Sequence, residues 1–511
     1  MIALKSTHRA AALTTLLLLP SILCKQELVQ IQVITRHGAR TALPKTKKLL
    51  EGGSALTPLG EKQHYDLGLW LRKRYISSKD DPLRLSKFDY TKVYLMSSEF
   101  DRTMVSATSL LTGLFPEDSR NNDVMGYSLL PAGTPRANIP LHVKENGRDI
   151  TIRAYDKCPS FVQDLQRFYE TPEFRTRQQE HKDSGLLYKV AKSATLQKYA
   201  EADEDGRHFI PLTEIWNAFD EINVAKTECS DDAAGSGTCK ALTEPSLQNL
   251  LSESEWLELK KLAFWVEAKK YGRENAGSRL GNIMLDILRR MGPVLKDGEI
   301  VTTKTPEELD SFVLYSAHYA TILGALAALD VSAFNGDFLK DRIPEYAAAL
   351  IFELYFDSET KSYSVQVLFK DGGKESAEYL ALQEDCGKTG PCPLQVLVKR
   401  LQQMGYDDDL GWCRVCSNSD SETCQLGRYR STPYSAHIAA AALSSSAGVI
   451  LLFCLLSLLR RRYNRYLNDR RAKALDSSQL ETLELKSHKR AEPEDRSQVQ
   501  ATSTTPSYDV A

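Results

Sequence analysis

The 511-residue sequence lacks an excess of basic residues, because 65 Lys and Arg face 67 Asp and Glu and the formal charge is -2. This balance excludes the strong positive field with which proteins bind a nucleic-acid backbone. The sequence also lacks an Asn-X-Ser/Thr site, so attached N-glycans do not solubilise its surface. With 42% hydrophobic and 26% charged residues, the composition is that of a globular protein.

Long apolar runs are scarce, and the two most prominent lie at opposite ends of the chain. Near the start, Lys5 and Arg9 precede an apolar run from Ala10 to Leu23, which is short for a membrane span. This pattern predicts a secretory signal peptide over residues 1–24. We therefore expect residues 25–430 to form a luminal or extracellular domain.

The second run, Ile438 to Leu459, is uncharged and long enough to cross a bilayer, and Arg460 to Arg462 follow it directly. Positive residues accumulate on the cytoplasmic side of a span. The sequence thus predicts a transmembrane helix over residues 436–459, a cytoplasmic tail over residues 460–511 and a single-pass type I topology. The alternative, a buried core helix, fits poorly with three adjacent arginines.

Apart from Cys24 and Cys454, eight cysteines are present: Cys158, Cys229, Cys239, Cys386, Cys392, Cys413, Cys416 and Cys424. An even set in an exported domain indicates disulfides, with about 105 ways of pairing eight residues. The last three could instead form a metal cluster. An oxidising compartment and the lack of a histidine at ligand spacing argue against zinc.

Three predicted strands each end at a junction that carries a basic residue. Alternating apolar residues from Val29 to Val33 lead into Arg36-His37-Gly38, and Val93–Met96 leads into a helical pattern with Arg102 in its first turn. Phe312–Tyr315 leads into His318. Ligands of open α/β sheets bind at the carboxyl ends of strands, so these junctions are expected to converge on one pocket.

The pattern therefore predicts an α/β fold with a central, mainly parallel sheet flanked by helices. Residues from about 131 to 292 are mostly charged and helical in pattern, which predicts a smaller, mostly helical inserted subdomain.

The segment Arg36-His37-Gly38-Ala39-Arg40 carries the most specific chemistry. Two guanidinium groups on either side of an imidazole suit a phosphoryl dianion, because each offers a planar fork of donors. His37 is then a candidate nucleophile, and Gly38 would let the backbone approach a ligand closely. The alternative is a surface cluster of basic residues in a loop.

This segment resembles the RHGxR signature of histidine acid phosphatases, the second branch of the histidine phosphatase superfamily. Further segments resemble that family in the same order: Leu56–Gly60, Ser98–Thr103, Pro140 with His142, Cys158-Pro159, Ser316–His318 and Glu353–Phe356. The resemblance spans roughly residues 29 to 424. Within the family, the predicted signal, luminal domain, single span and tail are most similar to those of the membrane-bound acid phosphatases of trypanosomatids.

The resemblance implies that His37 attacks phosphorus and becomes a phosphohistidine, while other side chains hold the phosphate oxygens: Arg36, Arg40, Arg102, His318 and His142. No metal or other cofactor is implied. His64 fits a structural hydrogen bond better than a catalytic role. Operation at acid pH in an endosomal, lysosomal, flagellar-pocket or cell-surface membrane is also implied, and related luminal phosphatases often form homodimers.

One departure from the family pattern concerns the residue after His318. The family has an Asp there, which protonates the leaving oxygen, whereas this chain has Tyr319, followed by Ala320. A phenol has a reference pKa near 10 and is a much weaker acid than a carboxyl, so we expect poor leaving groups to be cleaved slowly. Glu99 and Asp101 are candidate substitutes.

The sequence favours a membrane-anchored phosphatase that acts on phosphate monoesters. One alternative is a catalytically poor, phosphatase-like protein that acts as a luminal binding or endosomal trafficking component. A mutase of the same superfamily is a weaker alternative, because those enzymes are usually soluble.

Overall fold

A computed structural model of the chain describes residues 26–42, 54–77, 81–86, 89–116, 139–229, 244–272, 276–296, 299–302, 304–336, 342–384, 386–405, 410–425 and 455–470. The predicted signal peptide and most of the predicted membrane span lie outside these residues. The chain forms two compact units, Met1–Gln425 and Leu426–Ala511.

The strands of the first unit are β1 (Gln26–Arg36), β2 (Val93–Ser98), β3 (Leu141–Lys144), β4 (Glu201–Ala202), β5 (His208–Phe209), β6 (Pro293–Lys296), β7 (Glu299–Thr302), β8 (Phe312–Ala317), β9 (Ala349–Asp357), β10 (Ser362–Lys370), β11 (Glu378–Leu380) and β12 (Cys392–Pro393). Eight of them form one sheet in the order β11-β10-β9-β1-β8-β2-β3, with β12 paired to β10. Strands β1, β8, β2 and β3 are parallel neighbours, and β9, β10 and β11 continue the sheet antiparallel. The predicted α/β class is confirmed.

The helices are α1 (Pro58–Tyr75), α2 (Asp101–Leu114), α3 (Ala154–Lys157), α4 (Pro159–Tyr169), α5 (Pro172–Asp183), α6 (Leu186–Ala191), α7 (Ile215–Glu228), α8 (Glu253–Tyr271), α9 (Ala276–Leu280), α10 (Ile283–Arg290), α11 (Tyr319–Ala328), α12 (Val331–Asn335), α13 (Leu394–Gln403) and α14 (Gly411–Val415). Helices α3 to α10 fall in the predicted inserted subdomain. Strand β3 also falls in that range and belongs to the main sheet.

The central strands are covered on both faces, as expected for parallel strands. In β1, Ile31 and Val33 join the apolar cluster that α1 and α2 complete on one face. Gln30 and Gln32 point to the other face, and their side-chain amides donate to the backbone carbonyls of Arg290 and Ile287 in α10. Both of these buried amides therefore have hydrogen-bond partners.

Three disulfides join described cysteines: Cys158–Cys416, Cys386–Cys392 and Cys413–Cys424. Cys229 is disulfide-bonded as well. The prediction of disulfides is confirmed. The metal-cluster alternative is wrong, because Cys413, Cys416 and Cys424 are all used in disulfides.

In the second unit, residues 455–470 form a helix in which Leu455, Leu456, Leu458 and Leu459 are exposed. Within the described ranges, no helix combines the length and the apolar character that crossing a membrane requires. The predicted span of residues 436–459 stays a prediction.

Helices α1 and α2 pack closely because a glycine lies at each contact. A Cβ atom on Gly68 would lie 2.0 Å from the carbonyl oxygen of Leu110, and one on Gly113 would lie 2.1 Å from that of Tyr65. No real side chain fits at such distances, so the two backbones are in contact. This packing fixes the second half of α2 against α1.

We predict that Gly113→Ala lowers the free energy of unfolding by about 1–3 kcal/mol, because the added methyl group forces the two helices apart. Gly147→Ala is the matched control, since a Cβ at Gly147 has no neighbour within 4 Å. Thermal unfolding of both variants measures the effect, and equal melting temperatures would contradict it.

Candidate active site

The candidate side chains lie where the parallel strands end. In the register of the sheet, Arg36 of β1 is opposite Ala317 of β8, and Ser316 of β8 is opposite Ser97 of β2. The next residues along these strands, His37, His318 and Ser98, are therefore neighbours. Each of the three is buried.

His37 is held by the backbone of the next residue, Gly38, and by the neighbouring strand. Its Nδ1 lies 2.9 Å from the carbonyl oxygen of Gly38, and its backbone NH donates to the carbonyl of Ala317. A carbonyl only accepts, so Nδ1 carries the hydrogen and Nε2 keeps its lone pair. Burial, followed by the positive charges of Arg102 and Arg40, holds the pKa of His37 well below its ordinary value of 6.5. These surroundings favour the neutral ring, whose Nε2 can act as a nucleophile.

His318 precedes α11 and faces His37, with 5.5 Å between the ring centroids. Its Nε2 lies 2.8 Å from Oγ of Ser98, while its buried Nδ1 has no hydrogen-bond partner among the described residues. Burial, followed by the charges of Arg102 and Arg153, keeps the pKa of His318 well below 6.5. One ring nitrogen is thus free for a ligand.

Three predicted arginines surround these rings, each fixed by a different contact. Nη1 of Arg36 donates to the Pro344 carbonyl (2.6 Å). Nη1 of Arg102 donates to Ser54 Oγ (3.0 Å), and Nη1 of Arg40 lies 2.9 Å from Oδ2 of the buried Asp220.

Sequence reasoning missed a fourth guanidinium, Arg153, which precedes α3 and is 5% exposed. Its Cζ lies 4.4 Å from the ring centroid of Phe100, and Cζ of Arg102 lies 4.2 Å from the same centroid. Arg153 also pairs with Asp156. Neither the spacing nor a motif singles out Arg153, because an inserted helical region brings it to the site.

We call Arg36, Arg40, Arg102 and Arg153 the arginine cluster. Their Nε atoms are buried, and in the described part of the chain none has a hydrogen-bond partner. Two carboxylates, Asp220 and Asp156, pair with the cluster, which leaves a formal excess of two positive charges when both histidines are neutral. Burial, followed by the charge of Arg40, lowers the pKa of Arg102 to about 9. Such a site suits a dianion.

Glycine is required at position 38 by close backbone packing, whereas the sequence suggested a close approach to a ligand. A Cβ on Gly38 would lie 2.4 Å from the carbonyl oxygen of Gly60, and one on Gly60 would lie 2.1 Å from that of Ala39. His64, one turn further along α1, places its Nε2 3.0 Å from the Arg36 carbonyl. The first helix is thereby locked against the loop that carries His37, and His64 has the structural role predicted for it.

Tyr319 is buried and its hydroxyl donates to Oε2 of Glu267 at 2.7 Å. Lys270 donates to the other oxygen of Glu267 at 2.5 Å. The Tyr319 ring lies 5.2 Å from Cζ of Arg36, and the Tyr346 ring lies 4.2 Å from the same atom. The structure therefore uses the Tyr319 hydroxyl to hold Glu267 and its ring to hold Arg36. Glu267 was not foreseen from the sequence.

His142 lies on the edge strand β3, where it is exposed and opposite Met96 in β2. Its ring stacks on that of Tyr94 with 4.6 Å between the centroids, so the His142 side chain points away from the carboxyl end of β2. This position does not support the contact with phosphate that the sequence predicts for His142. Among the described residues, no group of three or more His, Cys, Asp or Glu is arranged to hold a metal ion.

Comparison with known proteins gives one family. Residues 48–370 match the sequence model of the "Histidine phosphatase superfamily (branch 2)". The chain is 26% identical over 405 residues to prostatic acid phosphatase of Bos taurus, covering 77% of this chain and 88% of the relative. It is 25% identical over 401 residues to human lysosomal acid phosphatase, covering 77% and 82%. The Hafnia alvei phytase apo structure shares the fold, with a TM-score of 0.50, 14% identity and coverage of 74% and 97%.

We predict that His64 contributes to acid destabilisation of the fold. Burial lowers the pKa of His64 to about 4. The unfolded chain therefore binds a proton below pH 6.5 that the folded chain takes up only near pH 4, and stability falls across this window as pH falls, by up to about 3 kcal/mol. His64→Gln should flatten the dependence of the unfolding free energy on pH between 6.5 and 4.

Chemical denaturation at a series of pH values measures this effect, with His142→Gln as the exposed control. A His64→Gln curve parallel to that of the unaltered protein would contradict the assignment.

Proposed function

Because the chain belongs to branch 2 of the histidine phosphatase superfamily, we propose that His37 takes the phosphoryl group of phosphate monoesters and passes it to water. The chain is an acid phosphatase, a phosphomonoester hydrolase. The observation that carries the mechanism is the position of His37 within the arginine cluster: its Nδ1 faces the carbonyl of Gly38, which leaves Nε2 with its lone pair, and the buried charge excess of the cluster matches a phosphate dianion.

In the first step, Nε2 of His37 forms a bond to phosphorus while the bond from phosphorus to the ester oxygen breaks. In the second step, water attacks the phosphohistidine and releases phosphate. Covalent catalysis accelerates a reaction by splitting one difficult step into two easier ones. Phosphoryl transfer needs positioning and charge stabilisation above all, and the fixed guanidinium groups supply both.

The low pKa of His37 bears on the pH at which the enzyme works. At pH 5 an ordinary imidazole is mostly protonated and cannot attack. In this site, burial and the neighbouring arginines lower the pKa of His37 and so favour the neutral form, in which Nε2 has a free lone pair. The same surroundings stabilise the negative charge on the phosphoryl oxygens, so activity at acid pH follows from one arrangement of charges.

We further propose the membrane arrangement predicted from the sequence: a signal over residues 1–24, a luminal domain over 25–430, one span over 436–459 and a tail over 460–511. The disulfides support an oxidising compartment for the domain. The similarity to lysosomal acid phosphatases supports an endosomal or lysosomal membrane. A flagellar-pocket or cell-surface membrane and a homodimer are compatible with this arrangement.

The decisive test of the mechanism is capture of the intermediate. We predict that brief reaction of the full-length protein with a labelled phosphate ester, followed by alkaline quenching, gives a phosphohistidine at His37. His37→Ala is the blank. Turnover without a labelled His37 would overturn the mechanism, and the absence of both label and turnover would favour the binding or trafficking alternative.

We predict that the enzyme prefers activated leaving groups. Tyr319 follows His318, and its hydroxyl donates a hydrogen bond to Glu267. No carboxyl at this position therefore protonates the leaving oxygen. General-acid assistance is typically worth about 10²–10⁴-fold. The kcat/KM for a nitrophenyl phosphate should therefore exceed that for glycerol phosphate by at least about 10²-fold.

Tyr319→Asp restores a carboxyl at this position and should narrow the gap between the two esters. Equal kcat/KM values on both esters, unchanged in Tyr319→Asp, would show that leaving-group protonation is not impaired.

A further inference from the structure

We propose that Phe100 is a positioning residue of the phosphate site, whose ring holds the guanidinium groups of Arg102 and Arg153 in place beside His318. The inference rests on the proposed function, because Arg102 is one of the groups that would hold the phosphate oxygens. Phe100 carries no group that reacts with a phosphate ester, so it acts on the reaction through the side chains that it contacts.

Phe100 is presented to the site by a fixed backbone. It is the residue before the first turn of α2, and its backbone is extended, with a φ of -131° and a ψ of 137°. Its carbonyl accepts from the backbone NH groups of Thr103 and Met104, both at 3.0 Å, and its NH donates to the carbonyl of Ser98 at 2.9 Å. The start of the helix therefore sets where the ring lies.

The Phe100 ring contacts two guanidinium groups and one of the two site imidazoles. Cζ of Arg102 lies 4.2 Å from the ring centroid, and Cζ of Arg153 lies 4.4 Å from it. The plane of the His318 ring is at 90° to that of Phe100, with 5.6 Å between the centroids. An aromatic ring attracts a cation that lies within about 6 Å of its centroid. One ring therefore attracts both guanidinium groups toward His318.

The two guanidinium groups need such a partner because they are buried and carry the same charge. Arg102 is 4% exposed and Arg153 is 5% exposed. Arg153 is paired with Asp156, whereas among the described residues no carboxylate forms an ion pair with Arg102. Nη1 of Arg102 donates to Oγ of Ser54, a neutral hydroxyl. Within the described contacts, this hydroxyl and the Phe100 ring hold Arg102 against the repulsion of Arg153.

Arg153 adds hydrogen-bonding capacity to the same side of the site. Its Nη1 donates to the side-chain oxygen of Asn146, and its Nη2 pairs with Asp156. Nε of Arg153 and Nε of Arg102 are both buried, and neither has a hydrogen-bond partner among the described residues. Donors that are fixed before the substrate arrives stabilise charge without a cost of reorganisation. Phe100 thus fixes two guanidinium groups that each keep an unused N–H.

Ordinary apolar packing does not account for the position of Phe100. Its side chain is half-buried, and it is not a member of the apolar cluster that α1 and α2 form with the sheet. Its ring contacts are instead with cations and with an imidazole. The aromatic face, rather than apolar bulk, is therefore the property that the site uses.

Phe100→Leu tests the proposal in the full-length protein, because leucine keeps an apolar side chain but has no aromatic face. The dissociation constant of inorganic phosphate is measured by titration calorimetry, and kcat/KM is measured on nitrophenyl phosphate. Losing two cation–π contacts should raise the dissociation constant by about ten-fold and lower kcat/KM by at least as much. Phe100→Tyr keeps the ring and should change either value by less than about three-fold.

Phe209→Leu is the matched control. The ring centroid of Phe209 lies 4.1 Å from Nζ of Lys182, which does not belong to the arginine cluster. This variant loses a cation–π contact at a similar distance, so it should leave both the dissociation constant of phosphate and kcat/KM unchanged.

A second background tests whether the ring acts on both guanidinium groups. Arg153→Met combined with Asp156→Asn removes an ion pair and keeps the net charge of the site. In this background the ring has one guanidinium left to hold, so Phe100→Leu should raise the dissociation constant of phosphate by only about three-fold. An equal rise in both backgrounds would show that the ring does not position Arg153, and it would overturn the proposal.

Two further results would overturn it. An unchanged dissociation constant in Phe100→Leu would show that the ring has no role in phosphate binding, and an equal loss in Phe100→Tyr would show that the shape of the side chain matters rather than its ring. If Phe100→Leu does not unfold cooperatively, Phe100→Met takes its place in the same comparison. A protein that binds phosphate but forms no phosphohistidine would overturn the proposed function alone, because phosphate binding is measured without turnover.

Discussion

The structure depends on keeping four guanidinium groups buried around two neutral imidazoles. Like charges this close repel, and burial adds the cost of removing them from water. Two carboxylates, Asp220 and Asp156, offset half of the formal charge. Aromatic faces offset more, because Arg36 lies by Tyr346 and Tyr319 while Arg102 and Arg153 share Phe100. The charge that is left over is what a phosphate group would neutralise.

A site with this much repulsion requires a rigid frame. The frame consists of parallel strands whose ends are set by register, and of backbones brought into contact at glycines. The contact of Gly38 with Gly60 is informative, because it ties the loop of His37 to the start of α1 without any side chain. The two sequence motifs that contain these glycines are thus two halves of one packing contact.

The sequence predicted the parts of the site that local pattern determines. Apolar strands followed by turn residues are visible along the chain, so the positions of His37, Arg102 and His318 at strand ends followed from it. Arg153 and Asp220 were not predictable in this way. They reach the site from the helical insertion, where charged residues at helical spacing look alike whether they face solvent or a pocket.

The residue after His318, Tyr319, is coupled to two other buried side chains. A buried phenol needs an acceptor, which Glu267 provides, and a buried carboxylate needs a cation, which Lys270 provides. Tyr319, Glu267 and Lys270 therefore form one buried, hydrogen-bonded unit. Because the Tyr319 ring also lies against Arg36, a change at residue 319 would affect both Glu267 and the arginine cluster. The residue after His318 thus acts on the site in two ways, through the hydrogen bond of its hydroxyl to Glu267 and through the contact of its ring with Arg36.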